Sequence, residues 1–201
     1  MNLFSPDSSL NLLPRDGEVV YQGPIFSPSE ASRCFEVLRS EVPWQNDEVI
    51  IFGKRIVTAR KVAWYGDEAF AYTYSGTTRH ALPWTNELLR LKGKVESLAK
   101  ATFNSCLINL YHHGGEGMSW HSDDESTLVR GATIASVSLG AERKFAFKHK
   151  RERGLTTSLV LEHGSLLLMK GATQEHWLHA LPKTKRVSEP RINLTFRLMA
   201  R

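Results

Sequence analysis

Pro190-Arg191-Ile192-Asn193-Leu194-Thr195-Phe196-Arg197 reads as a β-strand with one apolar and one charged face. Side chains alternate along an extended chain, so Ile192, Leu194, Phe196 and Leu198 share one side and Arg191, Asn193, Thr195 and Arg197 the other. The first side belongs in a core. Two guanidiniums on the back of a core strand must be solvated, paired, or in contact with an anionic ligand, because isolated buried charge is very costly. A small dicarboxylate would satisfy both.

Upstream of this stretch, from about residue 104, short β-type runs recur at 106–111, 134–139, 144–148, 158–161 and 165–169, with 192–198 as the last. Glycines and charged residues punctuate them and no long helix intervenes, which favours an antiparallel sandwich or jelly roll over a doubly wound sheet. The first half is mixed. Ser27-Pro28-Ser29-Glu30 is a capping box with proline at the first helical position, and Ala31, Phe35 and Leu38 follow at helical spacing, predicting a helix at 28–40. Leu88, Leu91, Val95 and Leu98 predict a second at 84–101 despite Gly93. Between them, 49–52 and 55–57 flank Gly53-Lys54 as a hairpin.

The 201 residues suit one domain, and no apolar run approaches the roughly 18 residues of a membrane span. The N-terminus shows no secretory pattern, so the expectation is an intracellular protein, cytoplasmic in a bacterium and nuclear in a eukaryote. Cys34 and Cys106 have no metal or disulfide spacing and read as small buried hydrophobes. Residues 1–16 are polar with two prolines and read as a flexible tail. Lys and Arg (26) exceed Asp and Glu (21) by 5, which permits nucleic-acid binding without requiring it. The excess is gathered at Lys144, Lys148, Lys150, Arg151 and Arg153 and at Lys183, Lys185 and Arg186, either as solvated loops or as contacts for an anionic partner.

His121 and Asp123, two apart, project to one side of an extended segment, while Asp124 faces away. A histidine from a distant strand would complete a triad of two imidazoles and one carboxylate, the donor set of non-haem Fe(II) sites with open positions. The spacing alone is common. His176 and His179 both qualify as the third donor, and strand alternation does not choose between them.

Taken together, His121-Ser122-Asp123, His179-Ala180-Leu181-Pro182 and the stretch from Pro190 to Arg197 resemble the AlkB family of Fe(II)- and 2-oxoglutarate-dependent dioxygenases. The resemblance runs from about Val49 to Arg201 and is similar to the double-strand DNA repair branch, AlkB homologue 2. It takes in Ile51-Phe52-Gly53-Lys54, Tyr65-Gly66-Asp67, Tyr72-Thr73-Tyr74-Ser75-Gly76, Ile134-Ala135-Ser136-Val137-Ser138 and His163-Gly164-Ser165-Leu166. It implies a mainly β protein with flanking helices (α+β): a double-stranded β-helix (jelly roll) core at about 104–201 with an N-terminal nucleotide-recognition lid at about 45–80. Both would lie in a single domain spanning 17–201.

The resemblance also implies the chemistry. His121, Asp123 and His179 would hold Fe(II), and Asn109, Tyr111, Arg191, Asn193, Thr195 and Arg197 would surround 2-oxoglutarate, with Arg191 and Tyr111 at its distal carboxylate and Arg197 and Asn109 near the metal. O2 would then oxidise a methyl group on a base nitrogen of alkylated DNA, double-stranded or single-stranded, releasing formaldehyde, succinate and CO2. The lesions implied are 1-methyladenine and 3-methylcytosine, with etheno adducts in scope. Such a base must leave the duplex. Phe52 would wedge into the vacated stack; Tyr74 and His121 would sandwich the base; Tyr72, Ser75, Asp124 and Glu125 would contact it. Arg60 would lie near the opposite strand, and Lys185 and Arg186 on backbone phosphate. Thr184 stands where that branch begins its basic segment with a charge, which weakens the expected grip on the second strand. No protein partner is implied, and a monomer is expected. The alternatives are an RNA or protein demethylase on the same scaffold and a non-catalytic nucleic-acid binding module.

Overall fold

The structure, a computed structural model, describes residues 10–51, 54–74 and 77–200, with backbone alone for 48–51, 54–56, 71–74 and 77–79. In chain order its elements are β1 (Glu18–Pro24), α1 (Pro28–Glu41), β2 (Gln45–Ile51), β3 (Lys54–Gly66), β4 (Ala71–Tyr74), β5 (Thr77–His80) and α2 (Asn86–Ala99). Then follow β6 (Ser105–Tyr111), β7 (Met118–His121), β8 (Ile134–Gly140), β9 (Arg143–His149), β10 (Thr156–Leu161), β11 (Ser165–Lys170), α3 (Thr173–His176), β12 (Trp177–Leu181) and β13 (Arg191–Arg197).

The strands build a seven-stranded sheet in the order β1-β11-β8-β13-β6-β3-β2 and a four-stranded sheet in the order β10-β9-β12-β7. The second half of the chain alternates between them, as in a jelly roll. The large sheet is covered on both faces. On one, Ile192, Leu194 and Phe196 of β13 pack in a cluster with Ala31, Cys34, Phe35 and Leu38 of α1 and Leu88, Leu91 and Val95 of α2. On the other, Ile134, Leu167 and Met169 meet Phe147, Leu161 and Trp177 of the smaller sheet. Burying each of these large side chains contributes about 1.5–3 kcal/mol. The alternation in β13 therefore has a spatial meaning: its apolar side faces the helices and its charged side faces the interior between the sheets.

Both helices start where side chains satisfy their free amide groups. Ser27 accepts from the Glu30 amide and the Glu30 carboxylate accepts from the Ser27 amide, while Thr85 caps α2 through the Leu88 amide. The helices expected at 28–40 and 84–101 are thus observed, the second trimmed at both ends. Cys34 and Cys106 are free and buried, as read.

The expected hairpin is observed, and other features add to or depart from the sequence reading. β1 falls in the stretch read as neither helix nor strand, and pairs antiparallel with β11. The second arm of the hairpin, expected at 55–57, is a 13-residue strand whose inner part, Lys61 to Gly66, pairs with β6. Its outer part pairs with β2 alone, with Ile51 opposite Lys54. Finally, the expected tail is partly fastened: residues 10–16 are described, Leu13 is buried in the second cluster, and the Asn11 side chain accepts from the Leu13 and Val19 amides and donates to the Gly17 carbonyl. An Asn in a tight turn replaces backbone partners that the composition alone does not reveal.

Candidate active site

Strands β7 and β12 pair antiparallel in the smaller sheet with His121 directly opposite His179. That register brings the two rings to 4.2 Å between centroids. Asp123 follows β7, and its Oδ1 lies 3.8 Å from His121 Nε2. One donor atom from each of His121, Asp123 and His179 falls within 4.8 Å of the others. The third donor is therefore His179. His176 ends α3 instead, its ring stacked on His149 at 6.1 Å.

The surroundings prepare these donors. His121 Nδ1 lies 2.8 Å from the Ser119 carbonyl, so this nitrogen carries the proton and Nε2 keeps its lone pair. His179 is buried, and burial pushes its pKa down to about 3 against the pull of Asp123, so the ring is neutral. Burial opposes ionisation of Asp123, but the Arg197 guanidinium holds its carboxyl below the usual range. The Arg197 guanidinium bonds Asp123 Oδ2 at 2.8 Å, and the Asp123 amide donates to Gln174 Oε1 at 2.9 Å.

The polar side of β13 completes the site. Its register with β6 sets Arg191 opposite Tyr111 and Asn193 opposite Asn109. Arg191 is 2% exposed, donates to Ser138 Oγ at 2.9 Å and lies 5.5 Å from the Tyr111 ring centroid. Among the described residues no salt bridge reaches it. Burial, with Arg143 nearby, pushes its pKa down to about 10, so the guanidinium is still charged at neutral pH. Asn193 donates to Ser136 Oγ at 2.8 Å, and Thr195 Oγ1 donates to Asn193 Oδ1 at 3.3 Å. Asn109 Oδ1, Arg191 Nε and Arg197 Nε are buried without partners. A buried cation with free donors and no acid beside it suits a carboxylate ligand.

Two cavities meet here. The smaller, about 50 Å³, lies between the sheets and is lined by Tyr111, His179, Arg191, Asn193, Thr195 and Arg197 among others. The larger, about 380 Å³, is walled by Gln45, Asp47, Arg60, Trp64 and His80 from the N-terminal half and by Glu125 and Leu128 from the other side. It falls within the roughly 300–1,000 Å³ of ordinary ligand pockets. His121, Asp123, Asn109 and Arg197 line both, so the donor triad lies at the junction.

A second cluster with metal-ligand spacing, Asp16, His149 and Glu152, does not fit an ion. His149 Nδ1 accepts from the Arg151 and Glu152 amides at 3.3 and 3.0 Å, which leaves the proton on Nε2, the atom facing Asp16.

The chain as a whole has counterparts among known proteins. The sequence profile of the 2OG-Fe(II) oxygenase superfamily matches residues 17–197. The chain is 43% identical over 183 residues to DNA oxidative demethylase ALKBH2 of Homo sapiens, covering 86% of this chain and 70% of the relative. It is 42% identical over 177 residues to the human alpha-ketoglutarate-dependent dioxygenase alkB homolog 3, covering 84% and 61%. The chain belongs to the AlkB family of 2OG-Fe(II) oxygenases. As such it is a dioxygenase that uses Fe(II), 2-oxoglutarate and O2. Its fold is that of OsALKBH1, at a TM-score of 0.62 and 14% identity over 92% of this chain and 98% of the other. A 2OG-Fe(II) oxygenase family protein from Burkholderia pseudomallei gives 0.61 and 13%, over 90% and 84%.

Not every expected contact of this AlkB-family oxygenase falls in the cavities. Asn109, Tyr111, Arg191, Asn193, Thr195 and Arg197 are brought together with the triad, and Glu125 lines the large cavity with its buried Oε2 unpartnered. Asp124 does not. Its carboxylate turns outward to Ser122 Oγ at 2.9 Å and Lys150 Nζ at 3.2 Å, because the alternation that points Asp123 inward points its neighbour away. Lys185 and Arg186 are exposed in the loop after β12. Arg60 is buried in the cavity wall rather than presented on the outside. Phe52 and Ser75 lie outside the described residues, as do the side chains of Tyr72 and Tyr74. Sequence reasoning missed Met118 and Leu107, which line both cavities, and Ser136 and Ser138, which hold Asn193 and Arg191. The alternation in β8 was the available signal for the two serines: they sit on the same side of that strand, opposite Thr195 and Asn193.

Proposed function

We propose that this dioxygenase repairs DNA by oxidative demethylation of alkylated bases, with 1-methyladenine and 3-methylcytosine as substrates and etheno adducts in scope. The observation that carries the reading is the junction itself: a buried guanidinium with no acid partner among the described residues lies in a small pocket that opens, past His121 and Asp123, into a cavity of ligand size. The relatives named DNA oxidative demethylase support the choice of DNA.

In this reading His121, Asp123 and His179 hold the iron, and Arg191 grips the distal carboxylate of 2-oxoglutarate with Tyr111 beside it. When bound, the iron and the ketoacid together supply the oxidant that hydroxylates the N-methyl group, consuming O2 and leaving succinate and CO2. The rest is done by the chain. Arg197 fixes one oxygen of Asp123, leaving the other directed at the histidines. Asn109 and Asn193 supply neutral polar groups between the arginines. Val62, Leu107, Leu128 and Met199 give the larger cavity an apolar wall that excludes water from an extruded base. The Glu125 carboxylate accepts from the exocyclic amine that adenine and cytosine share. Residues 45–80 act as the nucleotide-recognition lid, with Phe52 as the wedge and duplex DNA as the principal form. The hydroxymethyl product then loses formaldehyde.

The test is mass spectrometry of 1-methyladenine and 3-methylcytosine oligonucleotides, single- and double-stranded, incubated with enzyme, Fe(II), ascorbate and 2-oxoglutarate. The expected result is loss of one methyl mass from both lesions with matching succinate and formaldehyde. Unchanged oligonucleotides alongside turnover of methylated RNA or peptide would overturn the reading.

A further inference from the structure

Arg60 stands where β3 parts from β6. Lys61 makes the last pair with β6, opposite Leu110, and Tyr111 is the next residue of that strand. On the other edge the β2–β3 register jumps: Asn46 faces Lys61 and Glu48 faces Val57, so Asp47 alone stands opposite Thr58, Ala59 and Arg60. This is a β-bulge, a device that bends a strand and re-aims its side chains. Here it turns both charges inward. Asp47 and Arg60 both line the large cavity and form an ion pair there, and Arg60 is 8% exposed.

The guanidinium then reaches toward the cosubstrate end. It lies 5.8 Å from the Tyr111 ring centroid, and its Nη1 lies 3.2 Å from Met118 Sδ. Tyr111 is itself buried, lines the small cavity, and carries Arg191 at 5.5 Å from the same ring. Burial would push the Arg60 pKa down, and Tyr111 and Asp47 more than offset this. Arg60 Nε has no partner.

We propose that Arg60 is a positioning residue for 2-oxoglutarate: locked by Asp47 in the bulge, it holds Tyr111 against the cosubstrate pocket and so ties the β2–β3 hairpin to the occupancy of that pocket. The proposal rests on the assignment of the small cavity to 2-oxoglutarate. It makes Arg60 a link between the two cavities rather than a contact to the opposite DNA strand. Cosubstrate binding then stiffens the hairpin before a base arrives, and hairpin order favours cosubstrate, because such coupling is reciprocal.

The experiment is calorimetric titration of 2-oxoglutarate into the full chain loaded with Mn(II), which binds without turnover, together with amide hydrogen exchange at 45–47 and 58–62. Arg60→Met is expected to weaken 2-oxoglutarate by about tenfold, as loss of a charged hydrogen bond does. In a Tyr111→Leu background, which removes the ring that Arg60 rests against, the same change is expected to add almost nothing, since both remove one contact. Cosubstrate slows exchange in the hairpin of the parent protein and not in Arg60→Met. If that variant does not fold, Arg60→Lys, which keeps the charge and loses the fork, is expected to weaken binding in the same direction. Unchanged cosubstrate affinity with weakened binding of duplex oligonucleotide would overturn the proposal, as would additive effects of Arg60→Met and Tyr111→Leu. Arg191→Met separates the two levels. If it too binds 2-oxoglutarate like the parent, the assignment of the cavity fails; if it loses binding while Arg60→Met does not, the Arg60 link alone fails.

Discussion

Arg191 concentrates the electrostatic argument in one side chain. Its guanidinium is almost wholly buried, its Ser138 contact satisfies one nitrogen, and its Nε is unpartnered. A planar fork matches a carboxylate at two points, and an ammonium does not. Arg191→Lys is therefore expected to keep the fold and raise the KM for 2-oxoglutarate by about tenfold or more, with a smaller effect on the KM for DNA. Steady-state kinetics with each substrate varied in turn checks this, and equal rises in both would remove Arg191 from the cosubstrate end. Gly140 carries a different constraint. It ends β8 at φ +85°, and a Cβ there would collide with the Pro190 carbonyl oxygen and the Phe35 ring. Gly140→Ala is expected to destabilise the protein by more than about 1 kcal/mol, read by chemical denaturation. The period of two makes Arg191, Asn193, Thr195 and Arg197 legible from the sequence alone. Arg60 was named from the resemblance, but its inward turn and its pairing with Asp47 were not legible, because a bulge shifts the alternation on one strand only and its register depends on a partner chosen by the fold.

Helices α1 and α2 are locked across their outer surface as well as through the core. Glu87 near the start of α2 bonds Arg90 at 2.8 Å and reaches Arg33 of α1 at 3.4 Å. Its pKa is lowered to about 2, chiefly by the Arg90 hydrogen bond. A carboxylate whose folded pKa lies below its unfolded value of 4.5 stabilises the fold above pH 4.5 and loses that contribution as the pH falls toward 2. Glu87→Gln is accordingly expected to be less stable than the parent at pH 7, with the gap closing between about pH 4.5 and 2 in denaturation series. A gap independent of pH would mean that packing rather than charge is lost. Both helices were legible from capping and apolar spacing, since those signals are local. β1 and the full length of β3 were not. Lys54, Arg55, Arg60 and Lys61 break the apolar pattern of β3, and its partners β2 and β6 lie on opposite sides of it in the sequence. The choice between His176 and His179 was likewise settled by pairing, because only the register of β12 against β7 places one of them opposite His121.

At the level of the assembled protein the distribution of charge decides more than the net +5. The interior arginines face inward and are out of reach of a polyanion: Arg197 on Asp123, Arg60 on Asp47, Arg191 in the small cavity, and Arg143 on the backbone carbonyls of His113, Gly114, Glu116 and Pro182. What remains for a polyanion is the outer set. Arg143 matters to that set indirectly, because its carbonyl bonds tie the loop before β7 to the loop after β12, which continues into Lys183, Lys185 and Arg186. Loops braced in this way hold their cations beside β7 and β12, the strands of His121 and His179, and in the proposed function these cations meet the phosphates of the DNA. Each phosphate neutralised releases counterions, and for duplex DNA the slope of log K against log salt changes by about 0.9 per contact. Lys185→Ala with Arg186→Ala is therefore expected to weaken duplex binding at low salt and to flatten that slope by about 2, while leaving the preference for methylated over unmethylated bases intact. Fluorescence anisotropy across a salt series reads both quantities. A flattened slope with altered lesion preference would mean that these side chains reach the base, and an unchanged slope would move the phosphate contacts to the loop between β9 and β10.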